Sequence, residues 1–197
     1  MIAILDYGAG NLRSVQNTLG EIGCNFTLVR DADGIRSAGK LILPGVGHFG
    51  QMMRALDDMN VIPTLTDKIA DGTPFLGICL GMQALFEWSE EAPDEPGLDI
   101  FQGVVRRFPA HARVPHMGWN ELETYERATL FRGLGERPYV YFAHSYYAPP
   151  GEYSSALCAY DVSFTAALES SNIFGVQFHP EKSGPTGLRV VRNFVEC

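Results

Sequence analysis

The stretch 75–83, FLGICLGMQ, places a cysteine between two glycines at the end of an apolar run. The residues Gly77-Ile78-Cys79-Leu80-Gly81 match the G-x-nucleophile-x-G turn that joins a strand to a helix, with Cys79 as the nucleophile. Such a turn lifts its central side chain above the end of a sheet, and the helix N-terminus that follows favours a thiolate. The stretch therefore predicts an α/β fold with a reactive thiol. The alternative is a structural cysteine buried in a glycine-rich turn.

Outward from this stretch, short apolar runs alternate with amphipathic segments in the first half of the chain, whereas the second half is mainly strand-like with brief turns. Continuous apolar strands are typical of a parallel sheet covered on both faces. We therefore predict one α/β domain over residues 1–197, with an open, mostly parallel central sheet flanked by helices and antiparallel additions in the second half. The predicted strands are 2–5, 26–29, 40–43, 75–78, 104–108, 139–143, 157–160, 164–168 and 173–178. The predicted helices are 12–22, capped by Asn11, then 52–56, 61–70, 81–88 and 183–195.

Two local features complete the predicted layout. The strand at 40–43 is expected to stop at Pro44, and the acidic, proline-containing segment 90–97 is expected to be an exposed loop.

The amino-acid composition argues against several classes of protein and partner for this chain. The chain has 197 residues, 46% of them hydrophobic and 19% charged, which suits a globular core and argues against intrinsic disorder. Its 15 basic and 23 acidic residues give a net charge of −8 without a basic block, so nucleic acid and anionic membranes are not expected as partners. The short apolar N-terminus resembles a strand more than a signal peptide, and no run approaches the ~20 residues of a membrane helix. Widely spaced cysteines at Cys24, Cys79, Cys158 and Cys197 favour a reduced, cytoplasmic compartment.

A base for the Cys79 thiol is offered by His179-Pro180-Glu181, which follows the last apolar run. Residues i and i+2 of an extended segment point to the same side, so His179 and Glu181 can be neighbours. Both Cys79 and His179 follow strands, and sites in open α/β sheets collect at the carboxyl ends of strands. The residues therefore predict a Cys-His-Glu triad, in which the carboxylate orients the imidazole.

Other kinds of site receive weaker support. No Cys/His cluster has metal-ligand spacing, so we predict no metal and no cofactor. The run 45–50, GVGHFG, matches a dinucleotide-binding G-x-G-x-x-G pattern, but Asp67, at the spacing of the ribose partner, falls in a helical pattern. A second interpretation of the glycines is a loop whose backbone N–H groups complete an oxyanion hole with Leu80. That loop contains Gly45, Val46 and Gly47.

Taken together, 77–81 and 179–181 resemble the class I, triad-type glutamine amidotransferases. Further blocks spread over almost the whole chain resemble the glutaminase subunits of imidazole glycerol phosphate synthases. These blocks are 6–15 (DYGAGNLRSV), 43–47 (LPGVG), 79–83 (CLGMQ), 114–120 (VPHMGWN), 144–146 (HSY) and 179–184 (HPEKSG).

This resemblance implies a flavodoxin-like fold and hydrolysis of glutamine to glutamate and ammonia. It also implies a partner cyclase subunit, a (β/α)₈ barrel, which receives the ammonia through a protected channel. There the ammonia reacts with a phosphoribulosyl-formimino aminoimidazole carboxamide nucleotide. The products are imidazole glycerol phosphate and aminoimidazole carboxamide ribonucleotide, in histidine biosynthesis.

The resemblance also implies roles for further residues. Gln83, Ser145, Tyr146 and Glu91 are expected to contact glutamine. The expected partner interface consists of Asn11, Trp119, Asn120, Tyr141 and Lys182. Three other functions remain open: the glutaminase of pyridoxal-phosphate synthase, a non-catalytic binding protein on the same fold, and a cysteine peptidase.

Overall fold

The computed structural model describes residues 1–9 and 11–197; Gly10, part of a predicted turn, lies outside the described residues. Its strands are β1 (Ile2–Leu5), β2 (Phe26–Val29), β3 (Lys40–Gly45), β4 (Phe75–Cys79), β5 (Phe86–Ser89), β6 (Ala92–Pro96), β7 (Phe101–Arg107), β8 (His116–Glu121), β9 (Glu123–Thr124), β10 (Tyr139–His144), β11 (Tyr146–Tyr147), β12 (Ser154–Tyr160), β13 (Val162–Ser170) and β14 (Ile173–Val176). Its helices are α1 (Leu12–Ile22), α2 (Ala32–Ser37), α3 (Phe49–Asp58), α4 (Ile62–Ala70), α5 (Leu80–Gln83) and α6 (Gly184–Glu196).

The main sheet has eight strands in the order β2-β1-β3-β4-β14-β13-β12-β9. The pairs from β2 through β14 are parallel, and β13, β12 and β9 are added antiparallel. This arrangement confirms the predicted mostly parallel sheet with antiparallel additions in the second half. Because β4 and β14 lie side by side and run in the same direction, their carboxyl ends open at the same edge.

Apolar side chains cover both faces of this sheet. Ile2 and Ile4 of β1 pack on the side of α1 and α6, whereas Ala3 and Leu5 pack on the side of α2, α3 and α4. The alternation follows from the two-residue side-chain period of a strand. No helix in the described part of the chain has the length and apolarity needed to cross a membrane.

Two smaller sheets stand beside the main one. One pairs β8 with β10 in antiparallel fashion, and the other has the order β11-β7-β5-β6. The strands β8, β9 and β11 and the short helix α2 are not predicted from the sequence: β9, β11 and α2 are brief, and β8 (HMGWNE) is interrupted by polar residues and a glycine.

Two predictions around the cysteine turn are wrong. The predicted helix 81–88 ends at Gln83, and Phe86 begins a strand instead. The predicted loop 90–97 contains β6, which pairs with β5. Tertiary pairing decides both outcomes: the Phe86 ring packs on Phe101 and Tyr153, and Gly97 approaches β5 so closely that a Cβ would overlap the Phe86 carbonyl oxygen.

Two smaller predictions also change. The strand predicted to stop at Pro44 continues to Gly45, because β3 stays paired with β4 through Pro44–Ile78 and Gly45–Cys79, although its pairing with β1 ends at Ile42. Asn11 stands at the predicted N-terminus of α1, but its side chain accepts a hydrogen bond from the Ser14 hydroxyl (2.9 Å) and caps no backbone N–H.

Candidate active site

Cys79 sits at a strained turn between β4 and α5, with φ 53° and ψ −107°. A positive φ is uncommon for a residue with a side chain and marks a conformation that the surrounding structure must impose. The neighbouring glycines allow the close packing that imposes it. A Cβ at Gly81 would overlap the Leu43 carbonyl oxygen, and one at Gly45 would lie 2.7 Å from the Gly81 nitrogen. The predicted nucleophile turn is therefore present in the fold.

His179 and Glu181 stand at the same sheet edge as Cys79. The register places Val176 of β14 opposite Ile78 of β4, so the residues that follow the two strands meet above the edge. The His179 Nδ1 atom lies 2.9 Å from the Glu181 Oε1 atom, and both side chains are almost fully buried. The His179 Nε2 atom is left to face the sulfur.

The imidazole environment favours its protonated form. Burial lowers the pKa of His179, but hydrogen bonds with Cys79 and Glu181, together with the charges of these groups, outweigh burial and raise this pKa to about 10. The histidine is thus an imidazolium at neutral pH, held between a carboxylate and the sulfur. Such an arrangement suits an ion pair that activates a thiolate nucleophile.

A cavity of about 350 Å³ opens directly on the thiol. It is lined by most of the predicted catalytic, oxyanion and substrate residues, which come from the loop after β3, the end of β4, α5, the β5–β6 turn, the β10–β11 region and the segment after β14. These are Cys79, His179, Val46, Gly47, Leu80, Gln83, Glu91, Ser145 and Tyr146.

The glycine-rich loop after β3 approaches this cavity from the side of Tyr7. The Val46 N–H donates a hydrogen bond to the Tyr7 hydroxyl (3.4 Å), and Gly47 adopts a left-handed backbone with φ 98°. Burial raises the pKa of Tyr7 to about 12, so the hydroxyl stays neutral. The Val46 N–H is therefore engaged by the protein itself in this structure.

Two predicted substrate residues also make internal contacts. The Gln83 amide nitrogen donates to the Tyr146 carbonyl oxygen and to the Gln177 Oε1 atom, both at 2.9 Å. The Glu91 carboxylate accepts from the Phe49 N–H at the start of α3 (2.7 Å). Contact of Gln83 and Glu91 with glutamine stays a prediction, as it does for Ser145 and Tyr146.

Sequence reasoning missed Gln177, whose amide nitrogen lies 3.6 Å from the Cys79 sulfur. Its signal was available: Gln177 is a polar residue inside an apolar run and precedes His179 by two positions, which places both side chains on one side of an extended segment. Sequence reasoning also missed the buried histidine pair His116 and His144, whose ring nitrogens lie 3.1 Å apart and of which His144 lines the cavity.

Three of the predicted interface residues form one cluster beside the site. The Trp119 and Tyr141 rings meet edge to face with centroids 6.2 Å apart, and the Lys182 Nζ atom lies 5.7 Å from the Tyr141 ring centre. By contrast, Asn120 turns its amide group to the Ala159 carbonyl oxygen, and Asn11 lies at the start of α1. The interface role of all five residues stays a prediction.

The comparisons with known proteins agree with this geometry. A model of the family "Glutamine amidotransferase class-I" matches residues 3–197. The chain is 50% identical to an imidazole glycerol phosphate synthase subunit HisH from Methanothermobacter thermautotrophicus, covering 100% of this chain and 98% of the relative. It is 46% identical to the subunit of the same name from Thermococcus kodakarensis, covering 98% of each chain. A crystal structure of a glutamine amidotransferase has the same fold, with a TM-score of 0.79 at 21% identity over 99% of this chain and 97% of that one. The chain belongs to the class I glutamine amidotransferase family.

Proposed function

We propose that this chain is the glutaminase subunit of an imidazole glycerol phosphate synthase and works in the cytoplasm. It hydrolyses glutamine to glutamate and ammonia for histidine biosynthesis. The observation that carries the proposal is the convergence of Cys79 and His179 on one cavity at the edge of the parallel sheet, with the Glu181 carboxylate bound to the His179 ring outside the cavity. Full-length identity of 43–50% to subunits with this name supports the choice among amidotransferases over a pyridoxal-phosphate synthase glutaminase, a non-catalytic protein or a peptidase.

In the proposed reaction, the Cys79 thiolate attacks the carboxamide carbon of glutamine and forms a tetrahedral oxyanion. His179 gives its Nε2 proton to the departing nitrogen, which leaves as ammonia, and a thioester remains on the sulfur. A water molecule then attacks the thioester carbon while His179 takes a proton from it. Collapse of the second tetrahedral intermediate releases glutamate and restores the thiolate. Glu181 holds the imidazole through Nδ1 during both steps.

Backbone N–H groups supply the proposed oxyanion hole. Leu80 follows the nucleophile directly, which is the position whose N–H serves this purpose in nucleophile turns. A second donor comes from the loop at Gly45, Val46 and Gly47, once the Val46 N–H is released from the Tyr7 hydroxyl. Loss of one oxyanion donor typically costs about 2.7–4 kcal/mol, so this loop can control the reaction rate.

A cyclase subunit with a (β/α)₈ barrel is the proposed partner. It docks on the face that carries Trp119, Tyr141 and Lys182, which adjoins the cavity through Lys182. Ammonia formed at Cys79 then has a short path to the partner and passes through a channel that excludes water.

Glutamate release tests this proposal in the isolated chain and in the chain mixed with the cyclase and its nucleotide. We expect slow turnover alone and a sharp increase in the complex. Cys79→Ala is the matched control: it should release no glutamate but still bind the cyclase. Equal and rapid turnover without the partner would contradict control by the partner, and turnover by Cys79→Ala would remove the thiol from the mechanism.

A further inference from the structure

The Cys79 sulfur has a second polar neighbour besides His179. Gln177 directly follows β14, and the register Val176–Ile78 places it alongside the cysteine at the end of β4. Its side chain is fully buried, and its Nε2 atom lies 3.6 Å from the sulfur, within the range of N–H···S hydrogen bonds. A buried carboxamide in this position has to satisfy its polar atoms within the protein.

The orientation of this carboxamide follows from a backbone group. The Tyr146 carbonyl oxygen can only accept hydrogen bonds, so the Gln83 side-chain atom at 2.9 Å from it must be the nitrogen. The same nitrogen lies 2.9 Å from one terminal atom of Gln177, which must therefore be the oxygen. The remaining terminal atom of Gln177, the nitrogen, faces the Cys79 sulfur.

The Tyr146 carbonyl oxygen also accepts a hydrogen bond from a buried histidine. The His144 Nδ1 atom lies 2.8 Å from the Tyr146 oxygen, and the His144 Nε2 atom lies 3.1 Å from the His116 Nδ1 atom. Burial lowers the pKa of His144 to about 3 and that of His116 to about 4, so both rings are neutral. His144 then donates through Nδ1 and accepts through Nε2 from His116. His144 and Gln83 thus both donate to the Tyr146 carbonyl oxygen, and Gln83 also donates to Gln177, so each donor of this buried network has an acceptor of defined identity.

We propose that Gln177 is a donor to the nucleophile: its Nε2–H group stabilises the Cys79 thiolate, and Gln83 and Tyr146 hold it in that orientation. The inference rests on the proposed function of the site and extends it. The imidazolium can transfer its proton during the reaction, whereas the carboxamide of Gln177 keeps its proton and continues to donate. Gln177 therefore stabilises the sulfur both before attack and when it leaves the thioester.

Alkylation of Cys79 by iodoacetamide tests this role without glutamine or the partner. In this reaction the thiolate sulfur forms a bond to the methylene carbon and iodide leaves, so the rate follows the thiolate fraction. The rate is measured across pH by mass spectrometry of the peptide that contains Cys79, which separates it from Cys24, Cys158 and Cys197. Gln177→Met removes the donor at similar length, and Gln177→Glu keeps the shape but replaces the nitrogen by an oxygen.

For Gln177→Met we expect the alkylation profile to move upward by about one pH unit, which is a roughly tenfold lower rate on its rising limb. The rate on the high-pH plateau should stay within about threefold, because the nucleophile there is fully ionised in both proteins. Gln177→Glu should move the profile at least as far. Gln102→Met, on an exposed position of β7, is the matched control and should leave the profile in place.

A folded Gln177→Met or Gln177→Glu protein whose profile coincides with that of the unchanged chain would overturn the inference. Thermal unfolding of each variant establishes that it is folded, and if the methionine variant does not fold, the glutamate variant decides. A failure of the proposed function has a different signature: the unchanged chain with its partner would release no glutamate, whatever the alkylation profiles show.

Discussion

At the residue scale, the site contains a buried ion pair between His179 and Glu181. The carboxylate is buried beside the imidazole, and its second oxygen has no hydrogen-bond partner among the described residues. Its charge is therefore directed mainly at the histidine. Since the pKa of His179 is raised to about 10 with Glu181 among its causes, the carboxylate keeps the imidazole charged as well as oriented.

Glu181→Gln should therefore lower glutamine turnover in the complex by up to about 10⁴-fold, the loss seen when the orienting carboxylate of a related triad becomes an amide. The steady-state rate with saturating partner measures this effect. Binding of the partner serves as the control and should persist. A loss of less than about tenfold would contradict the orienting role.

The same coupling predicts a pH dependence of stability. A histidine whose folded pKa is about 10 and whose unfolded pKa is about 6.5 binds more protons in the folded state between these values. Its stabilising contribution is complete below about pH 6.5 and is lost as the pH rises through about 10. Urea unfolding of the unchanged chain should show stability falling over this window more steeply than in Glu181→Gln. Parallel curves would mean that Glu181 does not raise the pKa of His179.

At the scale of elements, the packing of the nucleophile turn against β3 explains why glycine is needed at its end. A Cβ at Gly81 would overlap the Leu43 carbonyl oxygen, and backbone cannot move aside as a flexible side chain can. We expect Gly81→Ala to lower the free energy of unfolding by about 1–3 kcal/mol or more, as overpacking does. Gly20→Ala, in α1 with open space around it, is the control and should be neutral or slightly stabilising. Urea unfolding of both variants measures their free energies of unfolding. Equal values for Gly81→Ala and Gly20→Ala would contradict the close packing at Gly81.

The loop between β3 and α3 carries a second prediction at this scale. Because the Val46 N–H is bound to the Tyr7 hydroxyl, turning this N–H toward an oxyanion costs one neutral hydrogen bond, about 0.5–1.5 kcal/mol. Tyr7→Phe removes that cost and should raise glutamine turnover of the isolated chain by about two- to tenfold. Turnover of the complex should change less, since we expect the proposed partner to favour the active loop already. A variant that turns over glutamine no faster without the partner would show that the Tyr7 contact does not restrain the loop.

The sequence predicts an element well where the element is determined by its own residue pattern. It predicts an element poorly where the element depends on pairing with a distant strand. The strands β1, β4 and β14 are short runs of apolar residues and glycine, and the cysteine turn and the 179–181 segment are recognisable from their residue types. The segments 81–88 and 90–97 were mispredicted because β5 and β6 exist only through pairing with each other and with β7. Gln177 was missed for a related reason: its contact with Cys79 arises from the register of β14 on β4, which the sequence does not state.

At the scale of the whole molecule, the two-stranded sheet of β8 and β10 presents one exposed apolar face. Met117, Trp119 and Tyr139 are 64%, 56% and 54% exposed, whereas Val140 and Phe142 on the opposite face are buried. Exposed apolar patches of this kind are typical of interaction surfaces, which is why we propose this face for the cyclase. It is connected to the site by backbone, because the His179 N–H donates to the Tyr141 carbonyl oxygen (2.9 Å). A partner bound to this face would therefore contact the same strand, β10, that binds the His179 backbone.

Trp119→Ala should consequently weaken binding of the cyclase strongly. Truncation of a central interface aromatic typically costs 2 kcal/mol or more, which is roughly a 30-fold or greater increase in Kd. Isothermal titration calorimetry of the chain with the cyclase measures this Kd. The second tryptophan of the chain provides a matched control, since Trp88 is also partly exposed but lies on β5, outside the β8–β10 sheet. Trp88→Ala should leave Kd within about threefold, and an equal loss for the two variants would place the partner elsewhere. If only Trp119→Ala weakens binding, the cyclase docks on the β8–β10 sheet, whose strand β10 also accepts the hydrogen bond of the His179 N–H.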